Sequence, residues 1–257
     1  MINYNYAFMT DIGLERKRNE DIAYAKTNSF GESILIVLDG MGGHRKGDIA
    51  SKKAFNSILN DFDIRSKPFN SVLGAKMWLT YAIKSANKEL YAYGSLNLKN
   101  GEVLGTTVVV VIYFKGKTIV GSVGDSRCYI LNESGFKQVT EDDSERYVLL
   151  KKKKITLQEY YSYAGKNKLT KALGVKSSIK PKVKQIKEKY NKLLLCSDGL
   201  YSKMSNLEMK HLLLKKIDIK FRLKELVDFA LERGGEDNIG LVIFEVRRWV
   251  EKLELAM

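Results

Sequence analysis

Cysteine, histidine and proline are scarce in this 257-residue chain, which has two of each. Cys128 and Cys196 both lie inside apolar, strand-like runs, where buried free thiols are expected rather than a disulfide. Two histidines, His44 and His211, and two cysteines, none at ligand spacing from another, cannot build a typical zinc site. Long apolar runs are missing too. The longest, Thr107 to Phe114, falls far short of the roughly 18 residues of a membrane span. The N-terminus, Met1-Ile2-Asn3-Tyr4-Asn5-Tyr6, lacks the basic segment and apolar stretch of a signal peptide. A cytoplasmic protein with no membrane attachment is expected.

What is present is ordinary in amount. A hydrophobic fraction of 44% and a charged fraction of 29% suit a globular chain with a sizeable core, read here as one domain over residues 1–257. The charge is less ordinary. Forty-four Lys and Arg against 30 Asp and Glu give a net charge of +14, which would suit nucleic acid, anionic membrane or acidic protein. The excess is diffuse apart from Lys151-Lys152-Lys153-Lys154, and no nucleic-acid motif accompanies it. A solvated basic surface is therefore the default reading.

Short strand patterns occur at Tyr6 to Met9, Ile22 to Lys26 and Ser33 to Leu38. Helical spacing follows from Asp48 to Leu59 and from Ala75 to Tyr93. Strands resume at Thr106 to Phe114, Thr118 to Val123 and Arg127 to Leu131. The polar, lysine-rich stretch from Thr140 to Gly174 reads as an excursion, with a helix near Leu157 to Tyr163. Strands at Val183 to Ile186 and Leu193 to Cys196 come next. Amphipathic helices at Asn206 to Lys215 and Phe221 to Glu232 precede a closing strand, Gly240 to Val246. Clustered strands between helix pairs indicate an α+β layered protein.

Three aspartates stand where an apolar strand runs out: Asp39, Asp125 and Asp198. A fourth, Asp237, precedes the run Leu241-Val242-Ile243-Phe244. A carboxylate at a strand end is fixed by the sheet yet points out of the core. Several brought together repel one another unless cations neutralise them, and hard divalent ions prefer such oxygen ligands.

Four segments line up in order: Gly13-Leu14-Glu15-Arg16-Lys17-Arg18-Asn19-Glu20-Asp21, Asp39-Gly40-Met41-Gly42-Gly43-His44, Gly124-Asp125-Ser126-Arg127, and Ser197-Asp198-Gly199 with Glu236-Asp237-Asn238. Taken singly, the Asp-Gly pairs would be turns. Together, and with Gly105-Thr106-Thr107 and Leu169-Thr170-Lys171-Ala172-Leu173-Gly174, they resemble the metal-dependent Ser/Thr protein phosphatase family (PPM, type 2C) in its compact bacterial form, from about Tyr6 to Val246. The resemblance implies a four-layer α-β-β-α sandwich, two antiparallel β-sheets flanked by helices. It also implies hydrolysis of phosphoserine and phosphothreonine by attack of a water or hydroxide bridging two divalent cations, Mn2+ or Mg2+. Phosphorylated proteins would be the substrates, a Ser/Thr kinase the functional opponent, and the enzyme a monomer.

By that resemblance Asp39 bridges the two ions and the Gly40 carbonyl joins one. Asp198 and Asp237 complete one ion; Glu20 and Asp21 hold the other, partly through its waters. Asp125 with Asp198 matches the site of a weaker third ion. Arg16 matches the arginine that grips the substrate phosphate, through a planar fork of charge-assisted hydrogen bonds. Asn238 supports Asp237, and His44 follows the Asp-Gly pair by more residues than the proton-donating histidine of animal members does. The excursion over 140–174 corresponds to the mobile flap beside the active site, opened here by Asp142-Asp143-Ser144 where relatives often have Asp-His-Ser. Its lysines and Tyr160-Tyr161-Ser162-Tyr163 would border the cleft. The alternative function is a non-catalytic member that binds phosphoproteins or a kinase; loss of a metal aspartate is its usual sign, and none is lost.

Overall fold

The computed structural model describes residues 3–42, 46–99, 102–163, 165 and 168–247. Along the chain come β1 (Asn3–Asp11), β2 (Asp21–Thr27), β3 (Ser33–Met41), α1 (Lys46–Asp63) and α2 (Val72–Asn97). Next are β4 (Gly105–Thr106), β5 (Val108–Phe114), β6 (Lys117–Val123), β7 (Arg127–Asn132) and β8 (Gly135–Gln138), then α3 (Glu145–Lys151) and α4 (Leu157–Ser162). β9 (Lys182–Ile186), β10 (Lys192–Cys196), α5 (Asp198–Tyr201), α6 (Asn206–Leu214), α7 (Ile219–Glu232) and β11 (Ile239–Arg247) complete the described part.

Two antiparallel sheets form, one ordered β1-β11-β10-β7-β8 and the other β2-β3-β5-β6-β9, with β4 added beside the end of β3. The period of two explains the stacking. In β3, Ile34, Ile36 and Leu38 face α1 and α2, while Leu35 and Val37 face the other sheet. In β10, Leu193 and Leu195 face between the sheets, and Leu194 and Cys196 face α5, α6 and α7. Strands buried on both faces read as unbroken apolar runs, which is how they look in the sequence. The expected α-β-β-α sandwich is what forms. The two cysteines lie on adjacent strands but opposite faces of one sheet, so both are free and buried.

Several local expectations needed correction. The run from Thr106 to Phe114 breaks at Thr107 into β4 and β5. β8 (GFKQ), α3 and α5 were not foreseen: β8 is four half-exposed or exposed residues, and α3 lacks a side-chain cap. The later helices carry clear start signals, since Thr156 with Glu159 and Ser205 with Glu208 form reciprocal capping boxes.

A buried charge cluster pins α7 to the sheet. Arg222, 5% exposed, pairs with Glu245, which also takes Lys192. The same guanidinium donates to the carbonyl oxygens of Ile217 (3.1 Å) and Leu213 (3.4 Å). Removing one partner strands the other in a poorly solvated place. Arg222→Met is expected to cost about 3 kcal/mol in urea unfolding, with Lys192 limiting the loss, and Glu245→Gln added to it should cost less than the sum of the two single changes.

Candidate metal and phosphate site

The register of the sheets brings the carboxylates together. Asp21 and Asp39 are direct cross-strand partners in the β2–β3 ladder. Each continues the parity that faces between the sheets, after Ala23 and Ala25 in β2 and Leu35 and Val37 in β3. Like charges directly opposite one another destabilise a ladder, so this pairing is costly in the bare protein. From the second sheet, Asp198 follows β10 and Asp237 precedes β11, two adjacent strands closed by the Ser197 amide donating to the Gly240 carbonyl at 2.9 Å. Asp198 is not a strand end, as expected, but the first residue of the short helix α5. Asp39, Asp198, Asp237, Asp125, Glu20 and Gly40 line one cavity of about 650 Å3 with Arg16, Lys17 and Arg18.

Asp21 and Asp125 are buried, whereas Asp39, Asp198 and Asp237 open partly to the cavity. Burial first, and then neighbouring carboxylates, raise the pKa values of Asp21, Asp39, Asp125 and Asp198. Asp39 stands well above the usual range, with Asp21 its strongest charged neighbour. Asp21 is raised likewise, although the Ser197 hydroxyl donates to its Oδ2 at 2.6 Å. Asp125 is pushed up to about 7 and Asp198 to about 6. Glu20 is raised by burial and by Asp48. The Tyr201 hydroxyl beside Asp125 pulls the other way while making no hydrogen bond of conventional geometry.

Among the described residues, no three carboxylate, imidazole or thiol side chains gather tightly enough to enclose an ion by themselves. The carboxylates are instead distributed around an open cavity. Their chemistry is all oxygen and their charges are mutually unfavourable, which fits hard divalent cations with room for water in the shell. The backbone is arranged for the same end. A side chain on Gly40 would collide with the carbonyl of Gly47, and one on Gly47 with the Glu20 carboxylate, so β2, β3 and α1 meet at backbone distance.

Hydroxyls and amides fix the backbone around these carboxylates. The Thr107 Oγ1 accepts from the Asp39 amide (3.1 Å), and the Thr106 hydroxyl and Thr107 amide donate to the Asp39 carbonyl (2.9 and 2.8 Å). The Asn19 Oδ1 accepts from the Asp21 amide at 3.0 Å. Asn238 accepts from the Glu20 amide and donates to the carbonyls of Ile12 and Arg18, each at 2.8 Å, so it shapes the whole 12–20 loop. Ser197 and Thr107 fall within the sequence motifs, which by themselves assign them no role.

Arg16 lies at the mouth, its side chain 54% exposed, with Nη2 on Asp237 Oδ2 at 2.8 Å and Nε on the Glu236 carbonyl at 3.2 Å. It was expected beside a phosphate; here it also neutralises Asp237, one of the carboxylates expected to bind metal. His44 and Gly43 lie outside the described residues. His211 is on α6, away from the cavity.

The flap differs from expectation. Tyr160 is buried, its hydroxyl accepting from Arg127 Nη2 at 3.2 Å, and Tyr163 donates to Glu145 at 3.1 Å. Lys151 pairs with Glu141 at 2.8 Å, and none of Lys151 to Lys154 lines the cavity. Arg127, unassigned by sequence, is the hub. It grips Asp142 through Nε and Nη2, donates to the Tyr129 hydroxyl and stacks on Tyr201 at 3.6 Å.

A family model described as protein phosphatase 2C matches residues 15–238. The serine/threonine phosphatase stp of Listeria welshimeri is 35% identical over 241 residues, 93% of this chain and 94% of that one. The crystal structure of serine/threonine phosphatase Stp1 from Staphylococcus aureus superposes with a TM-score of 0.86 at 31% identity, covering 96% of each chain. The catalytic domain of the serine threonine protein phosphatase PstP, solved with two manganese ions, gives 0.82 at 27% identity, covering 96% of this chain and 100% of that one.

The raised carboxylates set a pH dependence. Between the ordinary aspartate value near 4 and the folded values near 6 to 7, the folded state binds more protons than the unfolded one, so this cluster destabilises the chelated protein as pH rises through that window. Cations bind the deprotonated form. The gain in Tm on adding Mn2+ to chelated protein is therefore expected to be larger at about pH 8 than at about pH 5.5; an equal gain at both would show that the cluster does not hold the ion.

Proposed function

The chain belongs to the protein phosphatase 2C family, and from that premise we propose that the carboxylate-lined cavity is where it hydrolyses phosphoserine and phosphothreonine in proteins. It is a metal-dependent protein serine/threonine phosphatase. The observation that carries the assignment of the site is the meeting of carboxylates from both sheets at one cavity, with Arg16 at its mouth. Every aspartate expected to bind metal is present, which speaks against the non-catalytic alternative.

Asp39 would serve both of two cations and the Gly40 carbonyl one of them, with Asp198 and Asp237 holding one and Asp21 and Glu20 the other; Asp125 with Asp198 would suit a third. Bound there, Mn2+ or Mg2+ would offset the phosphate charge and activate water as the nucleophile. The remaining work falls to the chain's own side chains. Arg16 spends its Nε and one Nη2 hydrogen on Glu236 and Asp237, and its remaining donors are free to orient a phosphate. Lys17 and Arg18 line the same cavity and add to the local positive potential that draws in an anion. Thr106 and Thr107 hold the Asp39 backbone, and Ser197 holds the Asp21 carboxylate, which limits how far either residue must reorganise.

Phosphoproteins are the substrates in this reading, with a Ser/Thr kinase as opponent and a cytoplasmic monomer as the working form. Among the described residues no helix is long and apolar enough to cross a membrane.

Two variants test the assignment. Asp39→Asn is expected to lower kcat on an aryl phosphate by more than about 100-fold, beyond what losing an outer partner costs, while circular dichroism stays native. Near wild-type turnover at saturating Mn2+ would refute the role of Asp39. Arg16→Ala should raise KM by roughly tenfold or more, and Arg16→Lys should recover only part of it. Because Arg16 competes for the Asp237 carboxylate, calorimetric Mn2+ affinity should stay level or tighten in Arg16→Ala; a large loss would make Arg16 a structural residue.

A further inference from the structure

A second cavity, of about 240 Å3, opens directly beside the first, and the two share Met41 and Leu169 as common lining. At about 30 Å3 per water molecule it has room for about eight waters, or for a residue or two of extended polypeptide. Its apolar part is Met41, Leu169, Ala172, Val175 and Ile179. All its charged lining residues are lysines: Lys171, Lys176 and Lys180. We propose, resting on the phosphatase reading above, that this groove seats the substrate chain next to its phosphorylated residue and selects substrates carrying acidic side chains there.

The groove is built rather than incidental. Asn87, 1% exposed on the otherwise apolar inner face of α2, donates through Nδ2 to the carbonyls of Lys176 (3.0 Å) and Ser177 (3.4 Å). Its Oδ1 accepts from the Gly174 amide at 3.0 Å. One buried amide thus fixes the segment that presents Val175 and Lys176. The stretch before it is tied to the catalytic end. Leu173 exchanges two backbone hydrogen bonds with Thr106 (3.2 and 2.9 Å), the residue whose hydroxyl holds the Asp39 carbonyl. The Thr170 amide donates to the Asp143 carbonyl at 2.7 Å, and Asp143 also accepts from the Gly124 amide next to Asp125. Groove and carboxylate cavity are therefore held in register by shared residues.

The charges in the groove are not equivalent. Lys171 is drawn to Asp143 at 3.1 Å, which Lys182 also neutralises at 2.8 Å. Lys176 and Lys180 are exposed and make no ion pair among the described residues. A phosphoprotein crossing the Met41–Leu169 ridge thus meets two unpaired ammonium groups over an apolar floor. Aspartate or glutamate side chains near the phosphoresidue complement them. The four flap lysines, which line neither cavity, are left outside this role.

The test is steady-state kinetics of the Mn2+-loaded protein on three substrates: an aryl phosphate, a phosphothreonine peptide flanked by acidic residues, and the same peptide with glutamine replacing the acids. The wild type should prefer the acidic peptide in kcat/KM, and the preference should shrink at high salt. The double variant Lys176→Gln/Lys180→Gln should lose roughly 5- to 30-fold on the acidic peptide, chiefly in KM, with the aryl phosphate unchanged. The same charge change at Lys153 and Lys154, both exposed, should leave the preference intact. The groove assignment is overturned by equal losses on both peptides, by no loss on either, or by an equal effect of the Lys153/Lys154 variant, which would make net charge responsible. A wild type that fails to hydrolyse even the aryl phosphate would instead overturn the phosphatase reading on which the groove depends.

Discussion

Mutual repulsion among buried carboxylates is the constraint around which this fold is organised. Asp21 and Asp39 face each other across one ladder, and Asp198 and Asp237 flank two adjacent strands of the other sheet. Left alone, such a group would protonate or push the sheets apart; burial first, and the neighbouring carboxylates after it, raise the pKa values of Asp21, Asp39, Asp125 and Asp198. The apolar layer between the sheets, from Leu35 and Val37 to Val242 and Phe244, holds the two pairs at a common end despite that repulsion. Arg16 relieves part of the tension at Asp237, and divalent cations would relieve the rest. In the proposed reading destabilisation and function come from the same atoms, as expected where a site is pre-formed for a ligand of opposite charge.

Arg127 extends this logic to the flap. Its guanidinium is largely enclosed, gripping Asp142 at the flap's first turn, the hydroxyls of Tyr129 and Tyr160, and the ring of Tyr201. Tyr201 in turn touches the field of Asp125. Lying two residues from Asp125, Arg127 therefore couples the position of α4 to the acidic end through buried polar contacts rather than through apolar packing. The substitution of aspartate at position 143 fits the same scheme. Asp143 ties the Gly124 turn to Lys171 and Lys182, so the base of the flap is clamped by two carboxylate–cation contacts where the family pattern often has a histidine.

The layered architecture and the acidic cluster were legible because both rest on short-range sequence signals. Two-sided burial leaves unbroken apolar runs, and Asp-Gly pairs at their ends are easy to find. What stayed hidden depends on contacts between distant residues. The Arg16–Asp237 pair spans 221 positions, and the Asn87 bonds to Gly174, Lys176 and Ser177 span up to 90. Asn87 left a faint trace as a lone amide within an apolar helical stripe, and Arg127 none beyond its place in a motif. α5 was missed because four residues carry no periodicity, and β8 because a short exposed edge strand needs no apolar alternation. The aromatic cluster at Tyr160 to Tyr163 misled for a related reason: composition cannot tell a hydroxyl that anchors an arginine from one offered to a partner.

The charge balance also means something different once the acidic groups are located. Of the 30 acidic side chains, Asp39, Asp125, Asp198 and Asp237 line the cavity and Asp21 is buried across the ladder from Asp39, while Glu32, Asp142, Asp143 and Glu245 are buried in ion pairs. The ion-paired four take their Lys and Arg partners out of the balance with them, but the carboxylates gathered at the cavity concentrate negative charge at one end and leave the rest of the surface more cationic than a diffuse +14 implies. Cations filling the acidic end would strengthen that bias. A phosphoprotein approaching such a surface is attracted at long range whatever its sequence, an effect screened beyond roughly 10 Å at ordinary ionic strength. Discrimination among phosphoproteins must then come from charges that are both unpaired and fixed beside the catalytic cavity. Lys176, whose backbone carbonyl the Asn87 amide holds, and Lys180 line the groove beside Met41 and Leu169 and make no ion pair among the described residues, which suits them to that role.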